Sequence, residues 1–363
     1  MTPVFREPEV DVKFRKSVDA AVLKAEKKRD KGVSVIRVDK LFTDLQAAID
    51  TLRMMEVDAR AWKPSSYTDP LYASEPVPEG SRENEAEEAA PVRKESAEAA
   101  LSNDVRFLCD SLRGGRASGT TDAAEVAILL RQRFLSSGLQ VHSPSFACTG
   151  GPGRNVIGVR RRGSRRCIVI LAHYDGLVLP GGHYPGADSN ASGVAALLSL
   201  ASSFQSSASG PDLVFVALDG HNDSLSGAGA LIGQLEALGY STRDIVLAVN
   251  LDILGCNLAP VHKCWSEYII ALGGSRWSGG IEKCNSGLGL HIYYDYYGSR
   301  AFTDMFYRRV SDHRPLLERG VPCVMFTSGI TMNTNKTSDT PETLNYPLLA
   351  RRIELVRRWL ASF

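Results

Sequence analysis

Polar side chains that can bind metal ions stand directly after several apolar runs of this 363-residue chain. They are the side chains of His173, Asp175, Asp219, His221, Asn222 and Asp252. A single His-x-Asp pair is more often an ordinary surface pair held by hydrogen bonds. Carboxylates and an imidazole that meet at one edge of a sheet are, in contrast, typical ligands of zinc, manganese or a related ion. The coincidence of several such positions therefore favours a divalent metal site.

The elements that would position these residues are short strands that alternate with helices from Leu101 onward. Continuous apolar runs, typical of strands buried on both faces of a sheet, occur at 167–172, 213–218, 245–251 and 321–326. Helical patterns occur at 121–137, 191–204, 225–238 and 346–360. This order predicts a three-layer α/β/α sandwich with a mixed, mostly parallel central sheet. Ligands of such a fold bind at the carboxyl ends of the strands.

Several short segments, in order along residues 101–363, resemble the zinc-dependent aminopeptidases that carry two co-catalytic zinc ions. That superfamily also contains the glutaminyl cyclases and non-catalytic peptidase-like domains. The segments are Gly115-Arg-Ala-Ser-Gly-Thr120, Asn155-Val-Ile-Gly158, Ala172-His-Tyr-Asp175, Pro185-Gly-Ala-Asp-Ser-Asn-Ala-Ser-Gly193, Asn250-Leu-Asp252, Ser311-Asp-His-Arg-Pro-Leu-Leu-Glu-Arg-Gly-Val-Pro322 and Ser338-Asp-Thr340. The resemblance implies an aminopeptidase-like fold for this part of the chain.

The same resemblance implies that three metal ligands are retained. His173 matches the zinc-binding histidine of the His-x-Asp motif, and Asp188 matches the aspartate that bridges both zinc ions. Asp252 matches a further zinc-binding aspartate. Asp175 matches the carboxylate that orients the histidine without binding the metal itself.

Three other positions that the family's chemistry requires carry different residues. Adjacent glutamates normally follow the Asp-Gly pair, the first as general base and the second as zinc ligand, and this chain has His221 and Asn222 there. The last ligand is normally a histidine four residues before the aspartate of an Asp-Thr pair, and that position is Asn335. The changes remove a negative charge that offsets the repulsion between two cations, and a nitrogen donor. They also remove a general base, which is worth about 10²–10⁴ in rate.

These losses favour a catalytically inactive aminopeptidase-like domain that acts as a structural or partner-binding subunit of a larger assembly, because a fold does not fix function. No cofactor is then expected, and zinc is the expected ion if any metal is retained. The alternative is a zinc-dependent aminopeptidase or glutaminyl-cyclase-like enzyme with altered ligands, in which His221 acts as base or ligand. A third possibility is a binder of peptide N-termini.

Asp312 and His313 fall in the segment that lines the substrate pocket of the glutaminyl cyclases. Without a pair of zinc ions, a network of hydrogen bonds within the loop is the preferred interpretation of these two residues.

The first hundred residues are a different kind of chain. They hold 17 Lys and Arg and 20 Asp and Glu, whereas every His, every Cys and 30 of the 32 Gly come later. We predict a helical N-terminal extension at 1–73, a disordered linker at 74–100 and the aminopeptidase-like domain at 101–363. An apolar stripe at helical spacing in the extension packs either on the domain or on a partner protein. Its candidate partner-binding residues are Leu41, Leu45, Ile49 and Leu52.

Composition argues against other classes of protein. A balance of 42 Lys and Arg against 41 Asp and Glu gives no electrostatic basis for binding nucleic acid. No apolar run reaches the ~18–20 residues of a membrane-spanning helix, and the first residues lack the apolar core of a signal peptide. Seven cysteines, an odd number without a Cys-x-x-Cys pair, suggest free thiols. An intracellular compartment, either the cytoplasm or an organelle matrix, is therefore expected.

Overall fold

A computed structural model of the protein describes residues 96–110, 115–179, 182–204, 209–257, 266–296 and 298–363. The predicted extension, with Leu41, Leu45, Ile49 and Leu52, lies outside these residues, as does most of the predicted linker. The first described helix, α1 (Ala97–Leu108), starts after Ser96, whose hydroxyl accepts a hydrogen bond from the N–H of Ala99. The serine cap and the helix-forming Ala and Glu that follow it start this helix four residues before position 101.

The strands of the described residues form a central sheet and a separate hairpin. They are β1 (Gln140–His142), β2 (Ser145–Cys148), β3 (Gly151–Arg154), β4 (Val156–Arg160), β5 (Cys167–His173), β6 (Asp212–Leu218), β7 (Ile245–Leu251), β8 (Tyr268–Leu272), β9 (His291–Tyr293) and β10 (Cys323–Thr327). The eight-stranded central sheet has the order β1-β4-β6-β5-β7-β10-β8-β9. Its middle strands β6, β5, β7 and β10 pair in parallel, whereas β4 and β1 on one side are antiparallel. The predicted mixed, mostly parallel sheet is confirmed.

Helices cover both faces of this sheet. Besides α1 they are α2 (Thr121–Ser136), α3 (Ser192–Ser203), α4 (Ser226–Ala237), α5 (Ser278–Cys284), α6 (Arg300–Arg308), α7 (Arg314–Glu318) and α8 (Tyr346–Leu360). Alternate residues of a strand point to opposite faces, so Ile168 and Ile170 of β5 pack with α1, α2, α3 and α8. Val169 and Leu171 pack with α4 and α7 on the other face. The three-layer architecture is therefore confirmed.

The parallel arrangement of β5, β6 and β7 decides where the polar residues meet. The residues that follow these strands lie at one edge of the sheet, as the sequence predicts. No helix among the described residues is long and apolar enough to cross a bilayer.

Candidate functional site

The ends of neighbouring strands bring two of the predicted metal ligands together. His173 is the last residue of β5, and Asp252 comes directly after β7. The His173 Nε2 atom lies 3.6 Å from the Asp252 Oδ1 atom, which is too long for a hydrogen bond and suits two ligands of one ion. Both side chains are almost completely buried.

The Asp175 carboxylate connects the end of β5 to the loop after β6. It accepts hydrogen bonds from the backbone N–H groups of His221 (3.0 Å) and Asn222 (2.9 Å). It also lies beside His173, with 3.5 Å between the His173 Nδ1 and Asp175 Oδ1 atoms. Burial opposes the negative charge, but the contact with His173 and the backbone hydrogen bonds outweigh it and lower the pKa of Asp175 to about 2. Asp175 therefore stays ionised beside the His173 ring.

Asn222 is tied to the same carboxylate through its side chain. Its Nδ2 atom donates to Asp175 Oδ2 over 3.0 Å. A glutamate at this position has no N–H to donate, so this hydrogen bond is specific to the asparagine. The side chain at the position where the family has a zinc-binding glutamate is thus hydrogen-bonded to Asp175 of the same chain.

Asp188 lies in a short helical turn (Ala187–Ala191) that precedes α3, and it is fully buried. One carboxylate oxygen, Oδ1, accepts from the Gly255 N–H (2.7 Å) and the Ser192 hydroxyl (3.2 Å). The other oxygen, Oδ2, is buried and has no hydrogen-bond partner among the described residues. Burial raises the pKa of Asp188. Only one oxygen of Asp188 is therefore free for a metal ion.

The residue that supports Asp188 is Asp339. Its carboxylate accepts from the backbone N–H groups of Asp188 (2.8 Å) and Ser189 (3.1 Å). Burial, together with the charge of Asp188, raises the pKa of Asp339 to about 7. The Asp-Thr pair of the sequence thus holds the turn that carries Asp188.

His221, at the family's general-base position, forms a pair with Asp312. The His221 Nδ1 atom lies 2.9 Å from Asp312 Oδ2, and the imidazole stacks on that of His173 with 3.9 Å between ring centroids. Burial opposes a charge on both rings. For His173 the carboxylates of Asp175 and Asp252 outweigh burial and raise the pKa well above its usual value. For His221 the neighbouring Asp312 does so, and the pKa is raised.

The predicted loop residues Asp312 and His313 have different roles. Asp312 belongs to the site through His221. His313 is buried and its Nε2 atom hydrogen-bonds the Tyr307 carbonyl over 2.7 Å. Burial lowers the pKa of His313 to about 4. His313 is therefore a buried, neutral side chain that hydrogen-bonds the backbone of α6.

Asn335 lies in the loop after β10 and has a left-handed backbone conformation (φ 58°), which asparagine tolerates. In the described part of the chain, no hydrogen bond or ion pair joins its side chain to His173, Asp188 or Asp252. The structure brings those three ligands to one edge of the sheet without Asn335.

Asn190 holds the loop after β7 and was not predicted from the sequence. Its Oδ1 atom accepts from the N–H groups of Gly193 and Ile253, both at 3.1 Å, and its Nδ2 atom donates to the Leu251 carbonyl over 2.9 Å. Ile253 has φ 59°, a left-handed conformation that is a genuine outlier for a β-branched residue. The strained residue next to Asp252 is thus held by hydrogen bonds from the motif that carries Asp188.

Two buried arginines also support the site and were missed. Arg116 donates to the carbonyls of Tyr174 and Pro185, both at 2.9 Å, on the two segments that lead to Asp175 and Asp188. Arg352 of α8 donates to the carbonyls of Leu254 (2.6 Å) and Cys256 (2.8 Å) after Asp252. Arg116 lies in one of the segments that resemble the family, but nothing in the spacing of either arginine indicates that its side chain binds these carbonyls.

The donors present suit one divalent ion better than two. His173 Nε2 and Asp188 Oδ2 are buried atoms without a hydrogen-bond partner in the described residues, and the Asp252 carboxylate lies beside His173 Nε2. A second ion would need the other Asp188 oxygen, which already accepts two hydrogen bonds, and the Asn222 position, whose amide is bound to Asp175. The residues thus fit a single ion held by His173, Asp188 and Asp252, and they do not fit the two-zinc centre.

Comparison with known proteins agrees with this picture of the fold. The profile of peptidase family M28 matches residues 155–360, more than half of the chain. The chain belongs to peptidase family M28. The uncharacterised protein YfbL of Escherichia coli (strain K12) is 35% identical over 105 residues, which are 28% of this M28 chain and 32% of YfbL. The alignment therefore spans about a third of that relative.

Solved structures show the same fold as the M28 domain. The zinc aminopeptidase BSAP from Bacillus subtilis superposes with a TM-score of 0.59 at 13% identity, over 73% of this chain and 94% of that one. The glutaminyl cyclase of Porphyromonas gingivalis gives a TM-score of 0.57 at 18% identity, over 74% and 98% of the two chains. At such identities the likeness concerns the fold alone.

Proposed function

We propose that this M28 domain is a pseudopeptidase, a peptidase-like domain that does not hydrolyse peptides and serves as a structural or partner-binding subunit of a larger assembly. The observation that carries the proposal is the hydrogen bond from Asn222 Nδ2 to Asp175. It occupies the side chain at a position where the family has a metal ligand. The two hydrogen bonds to Asp188 Oδ1 support it further, since they take the oxygen that a bridging aspartate would offer to a second ion.

The general-base position supports the same conclusion. His221 is bound to Asp312 and stacked on His173, so its ring is held against a side chain at a retained ligand position. A single ion at His173, Asp188 and Asp252 would supply Lewis acidity and a bound water when present. The chain's own residues orient His173 through Asp175 and exclude water by burial.

Hydrolysis of aminoacyl anilides by the full chain with added Zn²⁺ tests the loss of activity. We expect the wild type to give no rate above buffer. The Asp188→Ala variant, which removes a retained ligand, should be indistinguishable from the wild type. A wild-type rate that disappears in Asp188→Ala would refute the proposal.

The partner-binding role has a separate test on the N-terminal extension. In an extract of cells that produce the full chain at its natural abundance, the chain should elute from size-exclusion chromatography at an apparent mass well above its own 39.4 kDa. Changing Leu45 and Ile49 to Glu should return it to the monomer position, because charged side chains disrupt an apolar helix face. Lys40→Glu is the control that changes charge without touching the stripe. Elution of the wild type as a monomer would contradict this role.

The second candidate is a zinc-dependent aminopeptidase or glutaminyl-cyclase-like enzyme with altered ligands. The observation that favours it is the His221–Asp312 pair, because an imidazole oriented by a carboxylate is the usual form of a general base. It predicts turnover of aminoacyl or N-terminal glutaminyl substrates that falls by about 10²–10⁴ in His221→Gln. Equal, zero rates for the wild type and His221→Gln with both substrates would exclude it.

A further inference from the structure

The turn between β4 and β5 carries a concentrated positive charge. Five of the seven residues at 160–166 are arginines, namely Arg160, Arg161, Arg162, Arg165 and Arg166. Because β5 begins directly after Arg166 and ends at His173, the turn lies at the opposite end of the sheet from the candidate site. A run of like charges is usually solvated and needs no ligand. The contacts of two of these arginines set this run apart.

The guanidinium of Arg162 has one edge without a hydrogen-bond partner. Its Nη1 atom donates to the carbonyls of Ser209 (3.2 Å) and Pro211 (3.4 Å). Its Nε and Nη2 atoms are buried, and neither has a hydrogen-bond partner in the described residues. These two nitrogens form the edge that binds two oxygens side by side, as the same edge of Arg357 binds Glu354 over 2.6 and 2.8 Å. Arg162 therefore has an unused pair of parallel donors.

Arg160 supplies a second guanidinium that acts on the first. Its two Nη atoms donate to the carbonyls of Gly138 and Ser137 after α2, and its Nε atom is buried with no partner in the part of the chain that the structure describes. Burial lowers the pKa of Arg162, and the like charge of Arg160 lowers it further. The two cations thus repel each other, and an anion bound beside them would offset this repulsion.

Among the described residues, no carboxylate forms an ion pair with Arg160 or Arg162. The Asp212 carboxylate pairs with Arg161 instead, with 3.4 Å between Nη1 and Oδ2, and it accepts from the Tyr240 hydroxyl over 2.6 Å. Its Oδ1 atom accepts from the backbone N–H of Arg162 over 2.6 Å. Buried polar atoms are nearly always paired in native proteins, so the unpaired guanidinium nitrogens indicate an anionic ligand.

We propose that Arg160 and Arg162 bind an oxyanion, a carboxylate or phosphate group, with the Nε and Nη2 atoms of Arg162 donating to two of its oxygens. The planar fork of an arginine matches the spacing of the oxygens in both groups. Arg162 is partly exposed, so a small displacement of its neighbours lets an anion reach these nitrogens from solvent. The exposed Arg165 and Arg166 add positive charge that attracts such a ligand. The site does not depend on the pseudopeptidase proposal, because it shares no residue with the candidate metal ligands.

Thermal unfolding of the full chain in increasing concentrations of phosphate or succinate, at an ionic strength kept constant with NaCl, tests the site. We expect at least one of the two anions to raise the melting temperature as a ligand of the native state does. The anion that gives the larger rise identifies the preferred group. Arg162→Lys keeps the charge but loses the fork, and it should weaken the apparent affinity at least about tenfold. Arg319→Gln, a change at an exposed arginine after α7, should respond like the wild type.

The Lys variant also separates binding from the general stabilisation that phosphate gives to many proteins, because that effect does not need the fork. An equal rise in wild type and a folded Arg162→Lys therefore overturns the proposal, as does a wild type that responds to neither anion. Arg160→Gln covers the case in which Arg162→Lys fails to fold. A weaker response to the anion in this variant supports the site, and a wild-type response refutes it.

Discussion

The buried His313 makes the stability of the domain depend on pH in a way that one substitution can isolate. Its Nε2 atom is engaged with the Tyr307 carbonyl, and its Nδ1 atom has no partner among the described residues. A second proton on Nδ1 would thus be buried without an acceptor. Burial accordingly lowers the pKa of His313 from an ordinary 6.5 to about 4.

The sign of the effect follows from proton linkage. Between pH 6.5 and pH 4 the unfolded chain binds a proton at His313 that the folded chain does not bind, so acid favours unfolding. The free energy of unfolding therefore falls as the pH is lowered through this range. The loss is about 2 kcal/mol at pH 5 and levels off near about 3 kcal/mol below pH 4.

His313→Gln removes this titration and keeps an N–H that can donate to Tyr307. Urea unfolding of both proteins at pH 7.5 and pH 5 gives the difference in stability at each pH. We expect the wild type to lose about 2 kcal/mol relative to the variant between these values. His142→Gln, at an exposed site, should show no such change. A wild-type-to-variant difference that is equal at both pH values would refute the assignment of a neutral, buried His313.

Three further substitutions test the packing around the site. Arg116→Met should lower the free energy of unfolding by about 3 kcal/mol in urea, because it leaves buried carbonyls unpaired; a loss under about 1 kcal/mol would contradict this role. Gly193→Ala should lower the melting temperature by several degrees, because the new Cβ would lie 2.3 Å from Asn190 Oδ1. Gly233→Ala in α4 is the matched control, because it makes the same substitution at an uncrowded glycine. With no atom within 4 Å, it should add about 0.5–1 kcal/mol, and a loss of stability there would be unexpected.

The elements that the sequence predicted correctly are those with a strong local pattern. Helix α8 has both ends as predicted at 346–360, and β7 matches the apolar run 245–251. The short strands β1, β2 and β9 were missed because three or four partly exposed residues carry too little periodicity. Strand β8 is a different case. Its run Tyr268-Ile-Ile-Ala-Leu272 is apolar and fully buried, so the signal for it was present.

Only the part of the site that lies at the ends of the strands could be predicted from the sequence. His173 ends one strand and Asp252 follows the adjacent one, so their meeting was predictable from the topology rule. Asp312 is 91 residues from His221 in sequence, and no local pattern indicates that the two side chains pair. The hydrogen bond from Asn222 to Asp175 likewise depends on the directions of the two side chains, which the sequence does not specify.

The Asp175 side chain links the end of β5 to the loop after β6. Its carboxylate holds the backbone of residues 221–222 and lies against the ring of His173 at the end of β5. A ligand that pulls on the His173 ring therefore also pulls on the loop after β6, which reaches the domain surface through Asp223 and its hydrogen bond to Thr149. The same carboxylate thus ties the position of the buried His173 ring to that of an exposed loop.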